Sequence, residues 1–247
     1  METIYDNKNC SLGLSGGINS AALLCYLKKI GARPKSLHLF YAHFIEHSPD
    51  TFHFVADCIR WAKNNFDNVH VKITKNTVLG FFEEEKFIPH PKISPCSNKL
   101  KIEPMMLYCS INNIDIDLVG YVKGEKKRYE KASKRQVQGD LFFRKDFPIK
   151  IFDDNWCFEI VDEMIGWHPA IYDIKENGER IFKHNNCLPC KNATIDELKM
   201  VEKYYPEYML KANMLSDKLK SHWGRNRDEF YLVFGREHQD KCTSCIF

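Results

Sequence analysis

The chain has 247 residues, enough for one large domain or a domain with an appendage, and its 44% hydrophobic and 28% charged residues argue against a disordered or membrane-embedded chain. A formal net charge of +3 is too mild to demand a nucleic-acid partner by itself. The opening METIYDNKNC lacks the basic-then-apolar pattern of a secretory leader, and no apolar run approaches the roughly 20 residues of a membrane span. The expectation is therefore a cytoplasmic protein with no membrane partner. Ten cysteines are many for such a chain. Without a leader, clustered ones point to metal, iron–sulfur or redox chemistry rather than a disulfide framework.

The first strand is expected over Cys10 to Leu14. A helix follows, with Ala22, Tyr26 and Ile30 at four-residue steps and Cys25 beside them. Between them lies Ser15-Gly16-Gly17-Ile18-Asn19-Ser20. A glycine pair flanked by hydroxyls, between a strand and a helix, is an anion cradle. The glycines let backbone N–H groups approach phosphate oxygens, Ser15 and Ser20 add hydroxyls, and the helix N-terminus adds its dipole. A lone Ser-Gly-Gly also occurs in ordinary turns; the strand–loop–helix setting with the second serine in place makes phosphate binding the better reading.

Ser36 to Ala42 is a second buried strand. Asp50-Thr51 starts a helix whose Phe52, Val55, Cys58 and Trp61 form an apolar stripe, expected to be core, and Val69 to Thr74 alternates as a third strand. The β-α-β-α-β order predicts a parallel sheet with helices on its faces. From Phe81 the sequence reads as loop, with Pro89, Pro91 and Pro95 excluding regular structure. Cys96 stands before a helix expected over Ser97 to Asn112, where the dipole, Lys99 and Lys101 would favour its thiolate. Asp115 to Val122 is the fourth strand. Lys123 to Arg135 then holds seven Lys/Arg and two Glu, which reads either as a solvated loop or helix or, beside a phosphate loop, as an anion-contacting segment.

Phe147 to Phe152 is the expected fifth strand, and Asp154 or Asn155 the cap of a helix running to Ile165, with Trp156, Ile160 and Met164 on one side. Lys175 to Gly178 is a turn. Thr194 and Glu197 form a capping box, and Pro206 separates that helix from one over Glu207 to His222. The domain reading is 1–185 for the α/β unit and 186–247 for a helical, cysteine-bearing extension packed on it. Cys10, Cys25, Cys58, Cys109 and Cys157 have apolar neighbours and read as small buried hydrophobes. Cys96, Cys187-x-x-Cys190 and Cys242-x-x-Cys245 remain for chemistry. The 51-residue spacer between the pairs is too long for a compact zinc ribbon, so a shared site depends on the fold.

With these motifs in order, the chain resembles the PP-loop ATP pyrophosphatases (adenine-nucleotide α-hydrolase-like proteins), in their phosphoadenosine-phosphosulfate (PAPS) reductase-like branch, over about residues 10–218. The resemblance is carried by SGGINS; by Glu46 with Pro49-Asp50-Thr51; by Cys96, Leu100, Lys101 and Pro104; by Gly120, Glu125 and Arg128; and by Tyr172-Asp173 ahead of Cys187-x-x-Cys190. The chain departs from the family pattern at Asn19 and Ala42, where the family carries Asp, and lacks the first Arg and the Ser of its Gly-Ile-Arg…Glu-Ser…Arg element.

The resemblance implies a three-layer α/β/α fold of HUP/PP-loop type, with a mainly parallel five-stranded sheet in order 3-2-1-4-5. It implies a nucleotide across the carboxyl edge, held by Ser15, Gly16, Gly17, Asn19, Ser20, Gly120 and Glu125. An intact loop is useful only if a β,γ-diphosphate must be held, which favours ATP with Mg2+ over a sulfonucleotide. The expected reaction is adenylation of an acceptor with pyrophosphate release, for thiolation or sulfur transfer, with Lys101 and Arg128 assisting. Cys96, Cys187, Cys190 and Cys242 would bind a [4Fe–4S] cluster, or Zn2+ as the alternative. The acceptor is open: a small molecule, a nucleic acid or a sulfur-donor protein, and a homodimer is compatible. Two other readings stand beside it: a thiol-dependent PAPS or adenylyl-sulfate reductase with Cys245 or Cys242 as nucleophile, and a non-catalytic nucleotide-binding or interaction protein.

Overall fold

In a computed structural model, the structure describes residues 2–89, 94–137 and 143–220. The elements run β1 (Asn9–Gly13), α1 (Ile18–Lys29), β2 (Ser36–Phe44), α2 (Thr51–Asn65), β3 (Val69–Asn76) and α3 (Val78–Glu84). Then come α4 (Pro95–Ser97), a π-helical turn over Asn98–Ile102, α5 (Glu103–Ile111), β4 (Ile116–Leu118), a 3-10 turn over Lys123–Glu125 and α6 (Lys126–Val137). The described chain continues with β5 (Arg144–Asp146), α7 (Asp154–Met164), a 3-10 turn over Ala170–Asp173, the hairpin β6 (Lys175–Glu176) and β7 (Glu179–Arg180), α8 (Ile195–Tyr204) and α9 (Pro206–Leu219).

The main sheet has the order β3-β2-β1-β4-β5, and every pairing in it is parallel. This is the expected 3-2-1-4-5 arrangement. β1 lies at the centre, and successive crossovers leave it in opposite directions, so the carboxyl ends of β1 and β4 form a topological switch point. Helix α1 is buried on nearly all sides, because it is wedged between the sheet and the packed rings of Phe152 and Trp156, with Tyr26 5.5 and 6.0 Å from them. The main core runs from β1, β2 and α1 through α2 and α7 to Leu198, Val201 and Met209 of α8 and α9. Of the described residues beyond 186, Leu188, Ala193, Leu198, Val201 and Met209 thus share one core with the sheet, while Cys187 and Leu215 belong to a smaller cluster. Thr194 and Glu197 make the expected capping box, with Glu197 N donating to Thr194 Oγ1 at 3.2 Å and Thr194 N to Glu197 Oε2 at 2.8 Å.

Several boundaries differ from expectation. The fifth strand is Arg144–Asp146, not Phe147 to Phe152. Pro148 has no N–H to give a ladder, and the segment curls into turns closed by Lys150 N to Phe147 O and Phe152 N to Ile149 O. β4 stops at Leu118 because the chain then leaves the sheet to meet α1. Helix α3 occupies part of the expected loop. Thr77 caps it by accepting from Gly80 N, and the buried Glu46 carboxylate accepts from Val78 N at 3.0 Å and Leu79 N at 3.2 Å. Pro95 opens α4 rather than excluding it, and Cys96 lies inside that first turn. Helix α7 is capped by Asp153, which accepts from Trp156 N at 3.0 Å, not by Asp154 or Asn155. On α2 the buried face is Phe54, Val55, Cys58 and Ala62; Phe52 stays 44% exposed against the His43 ring.

Candidate functional site

A cleft of about 270 Å3 opens at the switch point. Its floor is the end of β1 (Gly13) and the end of β4 (Leu118 to Gly120). One side carries Ser15, Gly17, Ile18, Asn19 and Ser20; another carries Ser97, Lys101, Ile102, Met105 and Met106. Tyr121, Glu125, Arg128 and Lys145 close a third side, and Tyr172 with Lys183 to Asn186 closes the fourth. Of the expected site residues, Ser15, Gly17, Asn19, Ser20, Lys101, Gly120, Glu125 and Arg128 all line this one cleft.

The loop is held open from within. Ser15 N donates to Ser20 Oγ at 3.1 Å, Gly17 N donates to Ser15 Oγ at 3.2 Å, and Ser20 Oγ donates to Gly17 O at 2.9 Å. These hydroxyls occupy the loop donors that an anion would otherwise take. Gly16 does not face the cleft; it makes the turn, with φ +78°, and a Cβ there would sit 2.3 Å from Thr51 Cγ2. Gly120 is required for another reason: a Cβ on it would lie 2.8 Å from the Asn19 carbonyl oxygen, so β4 meets the start of α1 backbone to backbone.

The fourth wall was not foreseen. Tyr172 OH accepts from Ile18 N at 3.2 Å and from Asn185 N at 3.1 Å, and Asn185 Nδ2 donates to Gly16 O at 2.9 Å and Thr51 Oγ1 at 2.7 Å. Burial pushes the Tyr172 phenol up to about 12, so it stays a neutral hydroxyl. The polar run His184-Asn185-Asn186 ahead of Cys187 was the available signal for this wall.

Charge in the cleft is predominantly basic. Lys101, Arg128, Lys145 and Lys183 line it against Asp117 and Glu125. Arg128 is ion-paired with Glu125 and stacks over the Tyr121 ring, 4.8 Å from its centroid. Asp117 is fully buried, which pushes its carboxyl up; Lys145 at 3.6 Å and the Ser11 hydroxyl at 2.8 Å oppose that shift. Asn19 Oδ1 is buried beside the cleft with no hydrogen-bond partner. It is an orphaned hard oxygen of the kind that a cation or a ligand N–H satisfies.

The cysteines divide as expected for one group. Cys10, Cys25, Cys58, Cys109 and Cys157 are buried in apolar surroundings. Cys96 and Cys187 come together in a smaller apolar cluster with Phe44, Phe82 and Leu215. Burial raises the Cys187 thiol to about 12, and burial raises Cys96 as well; the nearby charge of Lys101 works against both shifts. Cys190 shares a small cavity with Cys187, His184 and Asn186, and its sulfur accepts from Asn192 N at 3.5 Å. Among the described residues, no group of three or more His, Cys, Asp or Glu is disposed to hold a metal ion. The described thiols therefore do not fit a cluster or zinc as they stand. Cys242 and Cys245 lie outside the described residues.

The described residues form a three-layer α/β/α arrangement around a parallel sheet in the order β3-β2-β1-β4-β5, with a Ser-Gly-Gly loop joining β1 to α1. No family model and no curated protein matches the sequence. Among solved structures, the chain is similar to the U34-tRNA thiolase NcsA from Methanococcus maripaludis with its [4Fe-4S] cluster (13% identity, TM-score 0.46, 90% of this chain and 76% of that one). It is also similar to phosphoadenylyl-sulfate (PAPS) reductase from Candida auris in a phosphate complex (13%, 0.44, 70% and 83%). A third is NMN synthetase from Francisella tularensis (14%, 0.46, 95% and 87%). At such identity none of the three lends its activity to this chain. No helix among the described residues is long and apolar enough to cross a membrane.

Proposed function

We propose that the chain binds ATP in the switch-point cleft and adenylates an acceptor, releasing pyrophosphate. The observation that carries this reading is the intact loop: Ser15 and Ser20 hydroxyls and the Gly17 amide, already ordered around one another, at the mouth of a basic cleft of nucleotide size. Binding exchanges the internal hydrogen bonds of the loop for bonds to the β- and γ-phosphates, and the helix N-terminus favours the negative charge. The apolar side chains of Ile102, Met105 and Met106 offer a surface for the base.

In the reaction an acceptor oxygen attacks the α-phosphorus. The new P–O bond forms as the bond to the bridging oxygen breaks, pyrophosphate leaves with that electron pair, and the acceptor proton passes to solvent. Lys101 and Arg128 neutralise charge that grows on the phosphate oxygens. Magnesium bound with ATP would share that task, and Asn19 Oδ1 and the Glu125 carboxylate are the oxygens suited to meet it.

The thiols supply the sulfur side of the reading. Lys101 lines the cleft, and its ammonium lies 4.8 Å from the centroid of the Phe44 ring, which packs in the same apolar cluster as Cys187 and Cys96. Pyrophosphate release with ATP across a panel of acceptors tests the proposal, with Ser20→Ala and Lys101→Ala expected to lower it at least tenfold. Tight PAPS binding with no pyrophosphate release would replace it with the reductase reading; ATP binding without turnover would leave a binding protein.

A further inference from the structure

Helix α6 is two-sided. Arg128, Tyr129, Ala132 and Ser133 form its half-buried side, with the Tyr129 ring 6.2 Å from Phe147. Lys127, Lys131 and Lys134 are exposed on the other side, and exposed Lys123 precedes them in the 3-10 turn. Lys127, Lys131 and Lys134, at spacings of four and three residues, follow one stripe of α6, about 6 Å apart for the four-residue step, and Lys123 stands four residues before it.

Of the other charges here, Lys126 pairs with Glu130 at 3.9 Å and Arg128 with Glu125. None of the four stripe lysines has an ion pair among the described residues. A solvated helix face gains stability by alternating charge signs at these spacings, whereas four lysines in a row repel one another. The stripe starts in the 3-10 turn whose Glu125 lines the cleft, on the solvent side of the helix that carries Arg128 into the cleft wall. Exposed Arg144 of β5 and Lys150 extend the same sign beside it, Lys150 with its ammonium 5.9 Å from the Tyr129 ring centroid.

We propose that the α6 stripe binds the phosphodiester backbone of a single-stranded nucleic acid and guides it to the cleft as the adenylation acceptor. Regularly spaced, unpaired lysines match a regularly charged strand, and a cleft large enough for a nucleotide stands at the end of the track. Its description as the acceptor rests on the ATP reading above; strand binding itself does not.

Fluorescence anisotropy with labelled 20-nucleotide RNA and DNA of one sequence, without ATP, tests the binding over a range of salt concentrations. Wild-type protein is expected to bind, and K127Q/K131Q to bind about tenfold more weakly, with its log K against log salt slope shallower by about 1.4. The ratio of the RNA and DNA affinities identifies the sugar. Unchanged affinity and slope in the double variant would overturn the proposal, as would tighter binding to phosphatidylserine vesicles than to either strand. ATP affinity, measured separately on the same variant, is expected to be unchanged, so failure of the strand site and failure of the ATP site are read independently.

Discussion

The Tyr172 hydroxyl lies 3.2 Å from the amide nitrogen of Ile18, the first residue of the helix behind the phosphate loop. It takes a second amide from Asn185, two residues before Cys187. One phenol oxygen thus joins the Ser-Gly-Gly loop to the cysteine loop. Tyr172→Phe keeps the ring and removes the oxygen that accepts from two buried N–H groups. The expected loss is about 1–3 kcal/mol per orphaned amide in urea unfolding. Because phosphate can satisfy Ile18 N, ATP should raise the melting temperature of Tyr172→Phe more than that of the wild type.

Gly16 and Thr51 are packed so closely that any side chain at position 16 must displace the threonine methyl. Gly16→Ala is expected to abolish ATP binding and lower stability by about 1–3 kcal/mol through its left-handed backbone alone. Adding Thr51→Ser removes the clashing methyl but leaves the hydroxyl bonded to Asn185. The double variant should recover part of the stability, read from the unfolding midpoint, and fall short of wild type because φ stays positive.

Histidine burial makes stability depend on pH. His47 is held well below its usual pKa by its burial, then by the charges of Lys101 and His43. His38 is lowered by burial and by the stacked His70 ring, 4.5 Å away. A depressed folded-state pKa means that the unfolded chain takes up protons first. Their stabilising contribution is complete above about pH 6.5, the unfolded value, and is lost as pH falls below it. Melting temperature should drop between pH 7 and pH 5, and His47→Gln should flatten that slope.

Thiol accessibility sorts the cysteines. Cys10, Cys25, Cys58, Cys109, Cys157 and Cys187 are buried, while Cys96 and Cys190 are partly exposed. Brief alkylation of native protein at pH 8, mapped by mass spectrometry, should mark Cys96 and Cys190 ahead of those six. Early labelling of Cys187 would show that its loop opens.

Much of this was legible in the sequence because local pattern and global fold agree there. The Ser-Gly-Gly loop, the first three strands and the capping box at Thr194 are written within short windows. The misses have tertiary causes. Helix α3 is short, and Glu46, 31 residues before Thr77, helps cap it. The fifth strand is Arg144–Asp146, a segment with no apolar alternation that is recruited by the free edge of β4. Tyr172 stands out in the sequence only as part of a motif and Asn185 as an ordinary loop residue, because their role is a contact with a loop and helix start more than 150 positions earlier in the sequence. The grouping of Cys96 with Cys187 likewise depends on how the chain folds back, which residue spacing cannot express.

Gly120 has a further consequence. Since its α-carbon faces the Asn19 carbonyl with no room for a methyl group, the cleft base at Gly120 is a backbone-to-backbone contact. Side-chain replacement cannot reshape it. Changes of ligand preference are then to be sought in the side-chain flanks, Lys101 to Met106, Tyr121 with Glu125 and Arg128, and Lys183 to Asn186. Those flanks are where a library for altered nucleotide or acceptor choice should be built, with the β1–β4 seam left untouched as a fixed anvil.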